Sequence, residues 1–332
     1  MYDLRHQACL LYTSELSFLL ASEEELPSTW WTSMPEPTPL ITAWVGGPRV
    51  TALKQRVGVN AAPEALAFEC VQTLAKILGQ PAAWKGYTIG DNTHKEISRY
   101  PWRMDDPAVT YLGYEKFAKA GRPVVAVHKG LFPPSDEQRF PKLTQYAKVD
   151  DVGRAAKDWP QLKFLIYHAG YRYTGGDNPE LAAKQFDETG RMDWVSDLAQ
   201  VPAKYAVTNV YADVGASFAA LCVSHPRAAA AMLGILIKGL GADHVLWGTD
   251  SLWFGSPQWQ IEAFRRMEIP EDMQRQHGFA PLGPANGAIK CAILGENGPR
   301  VYGIERKVAE RGWGNDGLAR HRACLLYTSR CV

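Results

Sequence analysis

"LKFLIYHAG" occupies residues 162–170. Four apolar or aromatic residues run together, then a histidine, then a small residue and a glycine. Near-continuous apolar runs of this length read as strands buried on both faces, as in a parallel sheet. Three further stretches share the pattern: "PVVAVHKGL" (123–131), "VYADVGASF" (210–218) and "HVLWGTDSL" (244–252). "AAWKGYTIG" (82–90), "RVTALKQRVG" (49–58) and "ELSFLLAS" (15–22) are weaker members of the set.

Amphipathic helices are expected between these strands. "PEALAFECVQTLAKIL" (63–78) begins with Pro and Glu, good first-turn residues. "DPAVTYLGYEKFAKAG" (106–121) and "HPRAAAAMLGILIKGLG" (225–241) each end in Gly, the usual residue just past a helix. "PQWQIEAFRRM" (257–267) follows the last strong strand. One polar marker per strand gives Lys85, His128, His168, Asp213 and Asp250, spaced by 43, 40, 45 and 37 residues. A repeating βα unit of that size predicts an α/β fold with crossover helices, and the length suits a (β/α)8 TIM-barrel-like domain.

Composition narrows the function class. Of 332 residues, 46% are hydrophobic and 21% charged, with a formal net charge of +1. Neither a nucleic-acid nor a membrane partner is indicated by any block of like charge, and there is no apolar run of 18 residues. A small-molecule substrate is expected, a homo-oligomer is compatible, and a cytoplasmic location is the expectation. Cys70, Cys222 and Cys291 lack paired spacing and read as free thiols.

The two ends stand apart from this pattern. "RHQACLLYTS" (5–14) and "RHRACLLYTS" (320–329) agree at nine of ten positions. Stacked repeats have periods of about 20–50 residues, so copies this far apart do not form one. They look like translated adapter sequence, of the kind left on metagenomic reading frames assembled from short reads. The expected organisation is an adapter-like segment at 1–14, one barrel domain at 15–305, an extension at 306–320 and a second adapter-like segment at 321–332.

In a (β/α)8 barrel, functional groups gather at the carboxyl ends of the strands. His128, His168 and Asp250 occupy such positions, and imidazole plus carboxylate suits Zn²⁺ or a similar divalent ion. "PVVAVHKG", "LKFLIYHAG", "HVLWGTD" and "AILGENGPRVYGIE" together resemble the amidohydrolase-related (family 2) proteins over about residues 40–305. These are metal-dependent hydrolases and decarboxylases on a distorted (β/α)8 barrel. The resemblance implies that His128 binds the metal, that His168 is a ligand or the acid/base, and that Asp250 is a ligand or general base. It implies a metal that lowers the pKa of bound water towards about 7. Asn297, Arg300, Tyr302, Gly303 and Ile304 match a motif that closes the barrel. Lys85 corresponds to a lysine that bridges two metals when carbamylated in some relatives; here a solvated or substrate-pairing role is expected. Arg172 and Tyr173 could bind a substrate carboxylate, Trp253 could wall the pocket, and Asp213 faces either the mouth or the next helix.

One departure counts against full activity. The family opens strand 1 with His-x-His, and this chain contains none. With 49–58 taken as strand 3 and 15–22 as strand 2, strand 1 would fall in the adapter-like stretch. The expectation is a truncated fragment, impaired or binding-only, of an active parent that acts on a carboxylated or aromatic small molecule, as hydrolase or decarboxylase. A rival reading makes "GASFA" (215–219) a nucleophile elbow, with Ser217, Asp250 and His277 as a serine-hydrolase triad.

Overall fold

The computed structural model describes residues 18–20, 29–32, 41–45, 48–61, 65, 66, 69, 70, 73, 83–90, 95–98, 100–173, 178–251 and 253–304. The expectations placed on residues 1–14 and 306–332 lie outside them, as does most of the helix expected at 63–78, which is helical at its five described positions. The chain divides into two compact units, Met1–Pro81 and Ala82–Val332.

The first unit contains β1 (Phe18–Leu20), β2 (Thr29–Thr32) and β3 (Ile41–Trp44), paired antiparallel in that order. "ELSFLLAS" does hold a strand, but one in an antiparallel sheet and not strand 2 of a parallel barrel. "RVTALKQRVG" is a helix, Pro48–Val57, and not strand 3. Its Ala, Leu, Lys, Gln and Arg are strong helix formers. Pro48 sits at the first helical position, Lys54 and Arg56 lie in the last turn, and Gly58 follows at φ +98°. These local signals outweigh the two valines that suggested a strand.

The second unit carries a five-stranded parallel sheet: β4 (Trp84–Tyr87), β5 (Val124–His128), β6 (Lys163–Tyr167), β7 (Val210–Asp213) and β8 (Val245–Leu246). The strands lie side by side in chain order, which is the wall of a (β/α) barrel. Helices Thr110–Lys119, Val152–Asp158, Asn178–Thr189 and Pro226–Leu240 lie in the crossovers, and Gln258–Arg266 follows β8.

Both faces of the sheet are covered, which explains the continuous apolar runs. Val125, Val127, Phe164, Ile166, Val210, Ala212 and Val245 face the helices in the large core. The alternate residues Val124, Ala126, Leu165 and Leu246 form a second, smaller cluster with Val301. Ala83, Tyr167, Tyr211 and Tyr302 pack against that inner cluster. The helix Asn297–Tyr302 is fastened to the amino end of the sheet. Asn297 Nδ2 donates to Ala242 O and Val245 O at 2.8 and 2.7 Å, Arg300 to Asp243 O at 2.6 Å, and Lys163 Nζ to Val301 O at 3.1 Å. The Asn-x-x-Arg-x-Tyr-Gly motif therefore closes the barrel floor, as expected. No helix among the described residues is long and apolar enough to cross a membrane.

Candidate active site at the carboxyl ends of the parallel strands

Side-chain alternation along each strand decides what reaches the inner face. Lys85 and Tyr87 share the parity of Ala83 on β4, His128 that of Ala126 on β5, and Asp213 that of Tyr211 on β7. His168 follows β6 directly, and Asp250 stands four residues beyond β8. The rings of His128 and His168 meet edge to face with centroids 4.5 Å apart. Tyr87 stacks on His128 at 4.8 Å. The Lys85 ammonium lies 4.7 Å from the Tyr167 ring centre and 5.2 Å from that of Tyr87, in cation–π range.

The backbone is forced into left-handed conformations at this rim. Leu131 has φ +47°, His168 +56°, Ala169 +54° and Asp250 +49°, and Gly170 continues the turn at +64°. For non-glycine residues each such conformation costs about 1–3 kcal/mol and persists only where the surroundings hold it. The loops after β5 and β6 are fastened to each other: Leu131 N donates to Tyr171 O at 2.7 Å and Phe132 N to Arg172 O at 2.9 Å. A side chain at Gly130 would sit 2.4 Å from Tyr171 O, so the approach requires glycine.

Beside His128, Lys129 is wholly buried. Its Nζ donates to Asp151 Oδ2 at 2.7 Å and to Tyr146 O at 2.8 Å. Asp151 Oδ2 also accepts Met104 N at 2.8 Å. Burial pushes the lysine down and the aspartate up from their ordinary pKa values, and their mutual attraction opposes both shifts.

His168 is tuned by its surroundings. Burial, and then the Lys85 charge, lower its pKa to about 3, so the ring is neutral at ordinary pH. Its Nδ1 accepts the Ala216 N–H at 3.0 Å. A neutral imidazole has one accepting and one protonated nitrogen, so the proton resides on Nε2. In that state the ring is a hydrogen-bond donor through Nε2–H. Asp213 is raised to about 7, by burial first and the nearby Asp250 second. Burial also raises Asp250, against the pull of Lys85. Asp250 thus shares a field with Asp213 and Lys85. Among the described residues, however, no three His, Cys, Asp or Glu side chains converge as a metal centre.

The remaining expectations fall out differently. Arg172 is already engaged: its guanidinium pairs with Asp193 at 2.9 Å and with Glu137, and lies near the Tyr173 and Trp194 rings. It is a brace between loops, not an open fork for a carboxylate. Tyr173 is buried, its hydroxyl against Gln185 and Asp193. Trp253 is 78% exposed. The Ser217 triad does not assemble: Ser217 is fully buried and donates to Val214 O, while His277 packs against Phe186 and Phe279. Asp213, for which the sequence left mouth and helix equally open, belongs to the mouth.

Parallel strands with this rim define an α/β-barrel site. The chain belongs to the amidohydrolase family: the family model described as Amidohydrolase (Amidohydro_2) matches residues 92–304. No curated protein matches the sequence. Among solved structures, the chain is similar to 5-carboxyvanillate decarboxylase LigW from Sphingomonas paucimobilis, at 15% identity and TM-score 0.38, covering 77% of this chain and 72% of that one. It is also similar to dihydroxybenzoic acid decarboxylase from Polaromonas sp. JS666 with bound manganese and 2-nitroresorcinol, at 19% identity, TM-score 0.41 and 74% and 67% coverage. An amidohydrolase from Burkholderia multivorans with bound HEPES gives 16% identity, TM-score 0.42 and 73% and 70% coverage.

Proposed function

We propose that the site hydrolyses a small carboxylated or aromatic substrate, with His168 as hydrogen-bond donor to the developing oxyanion, Asp250 as base and Lys85 as anion anchor. The observation that carries this reading is the Ala216 N–H on His168 Nδ1, which leaves Nε2–H as the ring's donor. Asp250 takes a proton from the attacking water and returns it to the leaving oxygen or nitrogen as the scissile bond breaks, while the His168 N–H stabilises the oxyanion. The Lys85 charge, held over two tyrosine faces, pairs with a substrate carboxylate.

The family chemistry adds a divalent ion, and zinc is the ion we assign from the imidazole and carboxylate donor types at His128 and Asp250. Those two do not close a coordination shell, and the described residues offer no third donor in reach. Metal analysis of the purified chain checks the incomplete shell: zinc well below one equivalent is the expected result, and a full equivalent would overturn it.

A protonated Asp250, whose pKa burial raises, would deliver a proton to a substrate carbon, which makes decarboxylation the second reading. A panel of aryl carboxylate esters, lactones and hydroxybenzoates separates them. Ring opening or acid release supports hydrolysis, and carbon dioxide release moves the assignment to decarboxylation. Activity unchanged in both His168→Gln and Asp250→Asn would sink the assignment itself.

A further inference from the structure

The left-handed turn at His168–Ala169–Gly170 needs an outside support, and β7 supplies one. The backbone amides of His168 and Gly215 both act on the Asp213 carboxylate, favouring its charged form. Asp213 Oδ1 and His168 Nδ1 lie within 2.7 Å and 2.6 Å of the point where a Gly215 Cβ would stand. A Cβ at Gly248 would fall 2.1 Å from Asp213 Oδ2. Neither glycine has a positive φ, so it is the space they leave that matters. Two glycines thus leave room for one carboxylate wedged between the His168 turn, the start of the helix Gly215–Leu221 and the loop after β8.

We infer that Asp213 is a positioning residue: it clamps the His168 turn to the Gly215–Ala216 backbone, so that the Ala216 N–H fixes which ring nitrogen of His168 carries the proton. This rests on the reading of His168 as a hydrogen-bond donor through Nε2–H. Removing the carboxylate frees the helix start from the turn, and the Ala216 N–H then slips off Nδ1. Filling the Gly248 gap displaces the carboxylate without altering any titratable group.

The test reads the tautomer directly, without turnover. Histidine labelled at both ring nitrogens is incorporated into the full chain, and the His168 signals are assigned by their loss in His168→Gln. The wild type is expected to show Nε2 protonated and Nδ1 as acceptor. Asp213→Ala and Gly248→Ala are each expected to shift the His168 nitrogens towards the average of an exchanging ring. Ser217→Ala, which alters the same helix away from the histidine, should leave them in place. If Asp213→Ala fails to fold, Gly248→Ala carries the test. A wild-type Nε2–H pattern that survives in the folded variants overturns the inference about Asp213. A wild type protonated on Nδ1 instead overturns the donor reading on which it rests.

Discussion

A single N–H decides what His168 can do. Because Ala216 donates to Nδ1, the free ring offers its Nε2–H as a hydrogen-bond donor. His168→Gln should therefore lower the rate on any turned-over substrate by about 10²–10³-fold, the usual worth of an oxyanion donor, while leaving the unfolding midpoint within a few degrees. Lys85→Met should act on KM more than on kcat, since it removes an anchor and not a proton relay; a kcat loss with unchanged KM would rule that out. Asp213 gives a pH dependence of known sign. Its folded pKa, about 7, lies above the ordinary 3.8, so the folded chain holds the extra proton between those values. Stability falls as pH rises from about 4 to 7. Denaturant midpoints measured across that range should decline in the wild type and flatten in Asp213→Asn.

The elements show which interactions were readable in advance. Each parallel strand from β5 to β8 was legible because a strand covered on two faces leaves an unbroken apolar run. Helix ends at Gly121 and Gly241 were legible from local chemistry, and both glycines have positive φ. The Pro48–Val57 helix was misread because two valines and a threonine were given more weight than its helix formers. Arg172 looked available because Glu137 and Asp193 are 35 and 21 residues away in sequence. Asp213 was ambiguous for the same reason, since its partner His168 is 45 residues earlier. Partners distant in sequence leave no mark on local pattern. The Lys129–Asp151 pair is another case of this kind. Lys129→Met alone should cost about 3–5 kcal/mol, because it strands a buried carboxylate, and the double variant with Asp151→Leu should recover most of it. Urea unfolding of the two variants checks this; equal losses in single and double variants would mean that the ion pair itself holds the loop.

At the scale of the whole molecule, the parallel unit has a floor and a mouth. The floor is the helix Asn297–Tyr302, tied to β8 through Asn297. Asn297→Ala leaves two buried carbonyls without that donor and should cost about 1–3 kcal/mol. Hydrogen exchange at 297–302 should rise before exchange in β5–β7 does. The mouth gathers the titratable groups, the strained residues and the fastened loops at the opposite end. That polarity was legible from the positions of His128, His168 and Asp250 at strand ends. The chain contains no His-x-His, and the residues where strand 1 was expected lie outside those described.

The His168–Ala169–Gly170 turn also sets stability against rate. Ala169→Gly would relax a methyl-bearing residue out of a conformation it disfavours. The folded chain should tolerate the exchange, with a melting temperature equal or higher, yet the histidine would sample more orientations and turnover should slow. Selection for heat resistance alone would then tend to erode catalysis at this one position.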